Sequence, residues 1–287
     1  MGYSFNRDNG QVYDNYEYRA EEVSKNILKA DLDVVCFQEV TDESLEILKQ
    51  KLPNYDFVWD RHKESTFKTC RSKNFFGRTA NHGVAIFYKK GTCSLLDKKV
   101  ERCSVTLATG KTKDRVHIKT DFQIKNKTVR VIAGHFTDPR EFTVGQKATQ
   151  VNEALKLASA KTQRVFDATI IAGDMNQDEW GDMGNQKTTP DVHHAEAFQP
   201  LFQQGYKVDN NYDPSEYEKS FTDQEALQNP SLYNKAPQPK IEHNGESRHI
   251  DWIFAKGNGF NLEHMDLSAC SVTGSDHRLV GTNLVWP

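Results

Sequence analysis

Long apolar stretches are missing from this 287-residue chain. Mean hydropathy is −0.73, and no run approaches the ~18 apolar residues that a membrane-spanning helix needs. A transmembrane helix is therefore excluded. Cysteine is scarce and odd in number, at Cys36, Cys70, Cys93, Cys103 and Cys270. No CxxC pair occurs, which argues against a zinc site built from thiolates. Cys36 lies in an apolar run and reads as a small core residue, while one disulfide among Cys70, Cys93 and Cys103 stays open. The 17 glycines and 9 prolines are too few for a fibrous or low-complexity protein. No signal peptide is visible, because Met1-Gly2-Tyr3 leads directly into polar sequence. The compartment stays open, since a removed leader would leave the same start. Repeats and linker-like stretches are absent too, so the expectation is a single domain over residues 1–287, long enough to bury a substantial core.

The charge is less featureless than its sum. The net value of −3 divides into −7 over residues 1–60, +13 over 61–130 and −9 over 131–287. Such segregation predicts either a surface for an anionic partner beside an acid-rich region, or charges that intermix on folding.

Apolar spacing predicts amphipathic helices over 17–30, 42–52 and 144–165, the second with Thr41 as N-cap. Strands are predicted at 33–38, 55–59, 83–88, 92–96, 100–107, 168–173, 250–255 and 279–285. A hairpin over 115–124 and 129–135 turns at Lys125-Asn126-Lys127. The polar segments 177–192 and 209–248 read as long loops, with a helix start at His193-His194. His62 and His82 are assigned to loops, and Trp59 and Trp252 to the core. Many strands with interspersed helices indicate packed sheets with helices outside them.

Acids and imidazoles recur at the ends of these strands. Glu39 closes the first buried run, His135 follows VRVIAG, and Asp174 and Asn176 follow ATIIAG. Asp251 opens IDWIF, and Asp276-His277 precedes the last strand. Desolvating such groups costs several kcal/mol unless they are partnered. Their recurrence at separate strand ends therefore predicts one shared site at a sheet edge. The residue types suit hydrolysis of a phosphate ester. A hard cation such as Mg²⁺ takes oxygen ligands, with Glu39 the best candidate. A His or Asp can orient or deprotonate water, and Asn, His and a cation can stabilise the charged transition state. Asp251 and His277 are a candidate carboxylate–imidazole pair.

These residues carry a resemblance. Phe37-Gln38-Glu39, Gly134-His135, Gly173-Asp174-Met175-Asn176, Ile250-Asp251-Trp252 and Ser275-Asp276-His277 resemble the endonuclease/exonuclease/phosphatase superfamily in order and spacing, from Tyr3 to Pro287. The resemblance implies a DNase I-like α+β fold: a four-layer α/β sandwich of two packed, mainly antiparallel sheets flanked by helices. It implies metal binding by Glu39, with Asn6 and Asp276 near the metal, and Mg²⁺ or Mn²⁺ as cofactor. It implies that Asp174 handles the attacking water, Asn176 contacts the phosphate, and His277 with Asp251 acts on the phosphate. His135 would lie toward the leaving group. Which of His135, Asp174 and His277 is acid or base stays open. Only five residues precede Asn6, so the expectation is a chain trimmed from a longer one. Arg248-His249-Ile250-Asp251-Trp252 stands where the inositol 5-phosphatases carry Trp-Cys-Asp-Arg, which argues against that branch.

The basic segment 61–82 interleaves Arg71, Lys73 and Arg78 with Phe67, Phe75 and Phe76, a pattern that can neutralise backbone phosphates and stack on bases. The expected activity is a metal-dependent hydrolysis of phosphodiester bonds, with nucleic acid as substrate. DNA and RNA, and endo- and exonucleolytic action, are not distinguished. The alternatives are the same chemistry on a phospholipid or other small phosphate ester, and an inactive binding scaffold, against which the intact acids and imidazoles speak. No obligate protein partner is evident.

Overall fold

The computed structural model describes residues 4–5, 12–13, 16–62, 82–106, 112–136, 144–175, 196–208, 251–265, 267 and 279–287. Its framework is two sheets. In the smaller, β3 (Val34–Thr41), β5 (His82–Lys89) and β4 (Tyr55–Arg61) run antiparallel in that order. In the larger, the order is β10 (Lys207–Val208), β11 (Asp251–Gly257), β9 (Ala168–Asp174), β8 (Lys127–His135), β7 (Thr112–Ile124) and β6 (Cys93–Thr106). Every pair is antiparallel except β8–β9. That one parallel pair is joined by a crossover containing α3 (Val144–Ala158), as a parallel pair requires. Short ladders join β1 (Ser4–Phe5) to β2 (Val12–Tyr13), and β12 (Asn261–His264) to β13 (Thr282–Val285).

Alternation along the strands sets the layers. In β5, Val84, Ile86 and Tyr88 meet Val116, Ile118, Val131 and Ala133 of the larger sheet in a core between the sheets. Ala85 and Phe87 point the other way, into a second core with Ala20 and Ile27 of α1 (Tyr16–Ala30) and Leu45 and Leu48 of α2 (Asp42–Lys51). On the far side of the larger sheet, Ile132, Ile171, Trp252 and Phe254 pack against Val151, Ala154 and Leu155 of α3 and Leu201 of α4 (Gln199–Gln203). Strands apolar on both faces are the signature of a sheet covered on both sides. The result is the four-layer α+β sandwich that the sequence predicts.

Local chemistry explains the boundaries. Thr41 caps α2: the Ser44 amide donates to Thr41 Oγ1 at 3.2 Å, and the Thr41 amide donates to Ser44 Oγ at 2.9 Å, a reciprocal capping box. The β7–β8 hairpin turns at Lys125-Asn126, with Lys125 at φ 54°.

Several expectations are corrected. The third helix ends at Ala158, not 165, because Arg130 of β8 reaches under its last turn. Arg130 Nη1 donates to the carbonyls of Ala158 at 2.8 Å and Ala160 at 3.0 Å. Segments 92–96 and 100–107 form one strand, β6, with a register shift between Leu95 and Asp97. Cys93 and Cys103 are free buried thiols, which leaves no disulfide between them; Cys70 lies outside the described residues. Trp252 is buried in the core beneath α3 and α4, and Trp59 packs against the separate core beneath α1 and α2, as expected.

Much of the basic charge of 61–130 is matched by acid on folding. Arg61 pairs with Asp42 at 3.3 Å, Lys89 with Asp31 at 2.5 Å, Arg102 with Asp60 at 2.7 Å and Lys127 with Asp167 at 3.3 Å. Lys119 and Arg130 are buried against Asp121. For these residues, intermixing is the outcome.

Candidate active site

Three strands of the larger sheet end in a row. His135 is the ladder partner of Asp174, and Asp174 is the partner of Asp251. Partners across a ladder share a face. His135 lies two residues beyond Ala133, and Asp174 four beyond Ile170, which packs on the inter-sheet core. With a period of two, all three side chains turn inward, at the mouth between the sheets. His135 Nε2 is 3.4 Å from Asp174 Oδ2, with both residues buried.

The backbone beneath this row is tight. The Phe136 amide donates to the Asp174 carbonyl at 2.8 Å and so extends the ladder past His135. Gly173 has φ 145°, and a Cβ there would collide with the Gly134 carbonyl oxygen. Only glycine lets β8 and β9 approach this closely.

Glu39 arrives from the smaller sheet. Opposite β5 the register slips between Phe37 and Val40, so that β3 carries one extra residue. Within this bulge Glu39 has φ 55°, a conformation that costs a non-glycine residue roughly 1–2 kcal/mol. The bulge lies at the His82 end of β5, where Thr41 is the ladder partner of His82. The side-chain Nε2 of its neighbour Gln38 lies 3.2 Å from where a Gly173 Cβ would stand. Glu39 thus leaves β3 at the mouth that holds His135 and Asp174. A bulge that re-aims a side chain is characteristic of sites rather than cores.

Two further imidazoles join the mouth; His82 is a strand residue, contrary to its assignment to a loop, whereas His62 lies just past the end of a strand, as assigned. His82 opens β5, two residues before inward-facing Val84, and His62 follows β4, four residues after inward-facing Val58. The ring centroids of His62 and His135 are 5.7 Å apart, those of His82 and His135 6.0 Å, and those of His62 and His82 5.1 Å. One ring nitrogen from each lies within 4.8 Å of those of the other two. The signal was present in the sequence. Continuing the alternation of each strand two or four residues past its apolar run places a histidine on the inner face every time. Burial holds the pKa of His135 and His62 well below the usual imidazole value, and the Arg115 cation lowers both further.

Of the residues singled out in the sequence, Glu39, His135, Asp174 and Asp251 come together here. Asn6, Asn176, Asp276, His277, Arg71, Lys73 and Arg78 lie outside the described residues, as do His193 and His194. Carboxylate oxygens such as those of Glu39, Asp174 and Asp251 are the ligand type a hard divalent cation takes, but among the described residues the only group of three with ligand atoms within 4.8 Å of one another is His62, His82 and His135. With a water held by Asp174 and a phosphate against His135, the arrangement can carry out hydrolysis at phosphorus.

The family described as Endonuclease/Exonuclease/phosphatase matches residues 9–277. The chain belongs to that family. Its members hydrolyse phosphoester bonds, and the DNase I-like fold recurs in solved structures. A family protein from Leptotrichia buccalis matches with a TM-score of 0.56 at 15% identity, covering 96% of this chain and 94% of that one. One from Bacteroides vulgatus gives 0.55 at 15% identity over 87% and 82%. The human Nocturnin catalytic domain, solved with a sulfate anion, gives 0.53 at 15% identity over 86% and 77%. No curated protein matches. This endonuclease/exonuclease/phosphatase chain therefore shares a fold with distant relatives, and its substrate has to be argued from its own residues.

Proposed function

We propose that the protein is a divalent-metal-dependent phosphodiesterase that cleaves nucleic acid by attack of water on phosphorus. The observation that carries this reading is the row His135–Asp174–Asp251 at a mouth where the β3 bulge holds Glu39 in a strained backbone. Asp174 orients the attacking water and accepts its proton, and His135 beside it faces the phosphate on the leaving-group side. Asp251 holds the end of β11 against Asp174 and supplies a carboxylate for His277. Asn176 donates to a phosphate oxygen. A cation such as Mg²⁺ or Mn²⁺, held by Glu39 with Asn6 and Asp276, would neutralise charge building on those oxygens. Arg71, Lys73 and Arg78 would contact phosphates along the strand.

The same chemistry on a small phosphate ester has one observation in its favour. Arg61, Lys89, Arg102 and Lys127 face acids of their own chain, so less of the +13 is available to a polyanion.

The test compares bis(4-nitrophenyl) phosphate with an oligonucleotide, in Mg²⁺, Mn²⁺ and EDTA. Asp174→Asn is expected to lower turnover by roughly 10²–10⁴-fold on both substrates. Neutralising Arg71, Lys73 and Arg78 together should impair the oligonucleotide selectively. Full activity in EDTA would refute the metal role, and equal losses on both substrates from the triple variant would refute the nucleic-acid assignment.

A further inference from the structure

Three imidazoles within 4.8 Å of one another invite a metal, but the hydrogen bonding of one of them does not. A histidine that ligates a metal offers a lone pair from one ring nitrogen and donates N–H from the other. His62 does the reverse. Its Nδ1 accepts the Val116 amide N–H at 3.0 Å, so in a neutral ring the proton sits on Nε2. That Nε2 is buried and has no hydrogen-bond partner among the described residues. A buried donor left unsatisfied costs about 1–3 kcal/mol, which makes it a demand for an acceptor. It stands at the mouth where the rings of His82 and His135 lie 5.1 and 5.7 Å away by centroid.

The surrounding field agrees with the tautomer. Arg115 and Arg102 are both close enough to His62 to oppose its protonation, and Arg115 acts on His135 in the same direction. Arg102 is fixed in place, with Nη1 on the Arg61 carbonyl at 2.8 Å and Nη2 on Asp60 Oδ2 at 2.7 Å.

We propose that His62 is a substrate-binding residue whose Nε2–H donates to an anionic oxygen of the bound phosphate group, and that the His62–His82–His135 cluster is an anion pocket rather than a metal centre. The proposal rests on the phosphoesterase reading and adds a contact to it. The Val116 amide acts as the positioning group that fixes the tautomer, so the donor persists across neutral pH without carrying charge.

The experiment titrates inorganic phosphate calorimetrically into metal-free protein in EDTA, comparing wild type with His62→Phe and His62→Gln. His62→Phe is expected to weaken phosphate by at least tenfold. His62→Gln, which keeps an N–H donor, should recover most of that loss, and thermal melts check that both variants fold. Wild-type affinity in His62→Phe would overturn the proposal. So would stoichiometric Zn²⁺ binding that disappears in His62→Phe, which would make the trio a metal site after all. A turnover deficit in His62→Phe that grows with leaving-group pKa, at unchanged phosphate affinity, would also overturn it by assigning the donor to the leaving oxygen. Because phosphate binding needs neither metal nor turnover, its failure is separable. A preparation that hydrolyses bis(4-nitrophenyl) phosphate while its phosphate affinity ignores His62 sinks this proposal alone. One that is inactive with every divalent metal sinks the phosphoesterase reading.

Discussion

Glu39 is placed by a backbone that would prefer another residue. Its φ of 55° suits glycine, and the extra residue of the β3 bulge is unpaired against β5. A conformation so unfavourable persists when the side chain it presents is needed. Glu39→Gly should relieve the strain while removing the carboxylate. The expected result is a urea midpoint equal to or above wild type, by up to about 1 kcal/mol, with loss of metal-dependent hydrolysis. A clear loss of stability in Glu39→Gly would show that the carboxylate itself holds the bulge. Gly173 is the opposite case, since its neighbour Gly134 leaves no room for any side chain. The two positions differ in kind: at Gly173 the residue fits the backbone, and at Glu39 the backbone yields to the residue.

At the scale of elements, α3 is anchored from below. Arg130 is buried on β8 and binds Asp121 with two nitrogens, Nε at 2.8 Å and Nη2 at 3.0 Å. Its third nitrogen meets the carbonyls at the C-terminus of α3, where the helix dipole favours a cation. The face of Phe166 lies 4.1 Å from its guanidinium. Arg130→Met should therefore destabilise by roughly 3–5 kcal/mol, since it leaves Asp121 buried without its main partner. The double variant Arg130→Met, Asp121→Leu should recover a large part of this, as measured by denaturant unfolding. This anchor also shows what the sequence makes legible. The start of α2 is written locally, in Thr41 and Ser44 three residues apart. The end of α3 is written on another strand, so helical periodicity overruns it to residue 165. The strand ends carrying Glu39, His135, Asp174 and Asp251 were legible because a polar group closing an apolar run stands out. His62 and His82 stand out less, because neither adjoins its run directly: only the alternation carried two or four residues beyond the run marks them as inward-facing, and only the three-dimensional mouth makes them neighbours.

For the whole molecule, buried imidazoles couple stability to acid. His117, on the α3 side of the larger sheet, is pushed down to about 4 by burial. His62 and His135 are lowered in the same direction by the same cause. The folded state keeps these rings neutral, while the unfolded chain protonates them near 6.5. Below that value the unfolded state binds more protons, so stability falls as the pH drops from about 6.5 toward 4, and is level above it. Each such ring contributes a slope of up to ~1.4 kcal/mol per pH unit. Urea unfolding at pH 7.5 and pH 5 should differ by a few kcal/mol in this direction. His117→Leu should flatten the dependence, and an unchanged slope in that variant would remove His117 from the explanation.

The pairing of β9 with β11 sets a timetable for the newborn chain. Asp174 meets Asp251 across the ladder, yet a ribosome delivers everything between them first, at about 5–20 residues per second. A polypeptide halted before β11 already contains Glu39, His135 and Asp174, but the row they belong to has an open side. Competence for catalysis thus arrives only once β11 has emerged, and products terminated before it should be inert as well as unstable.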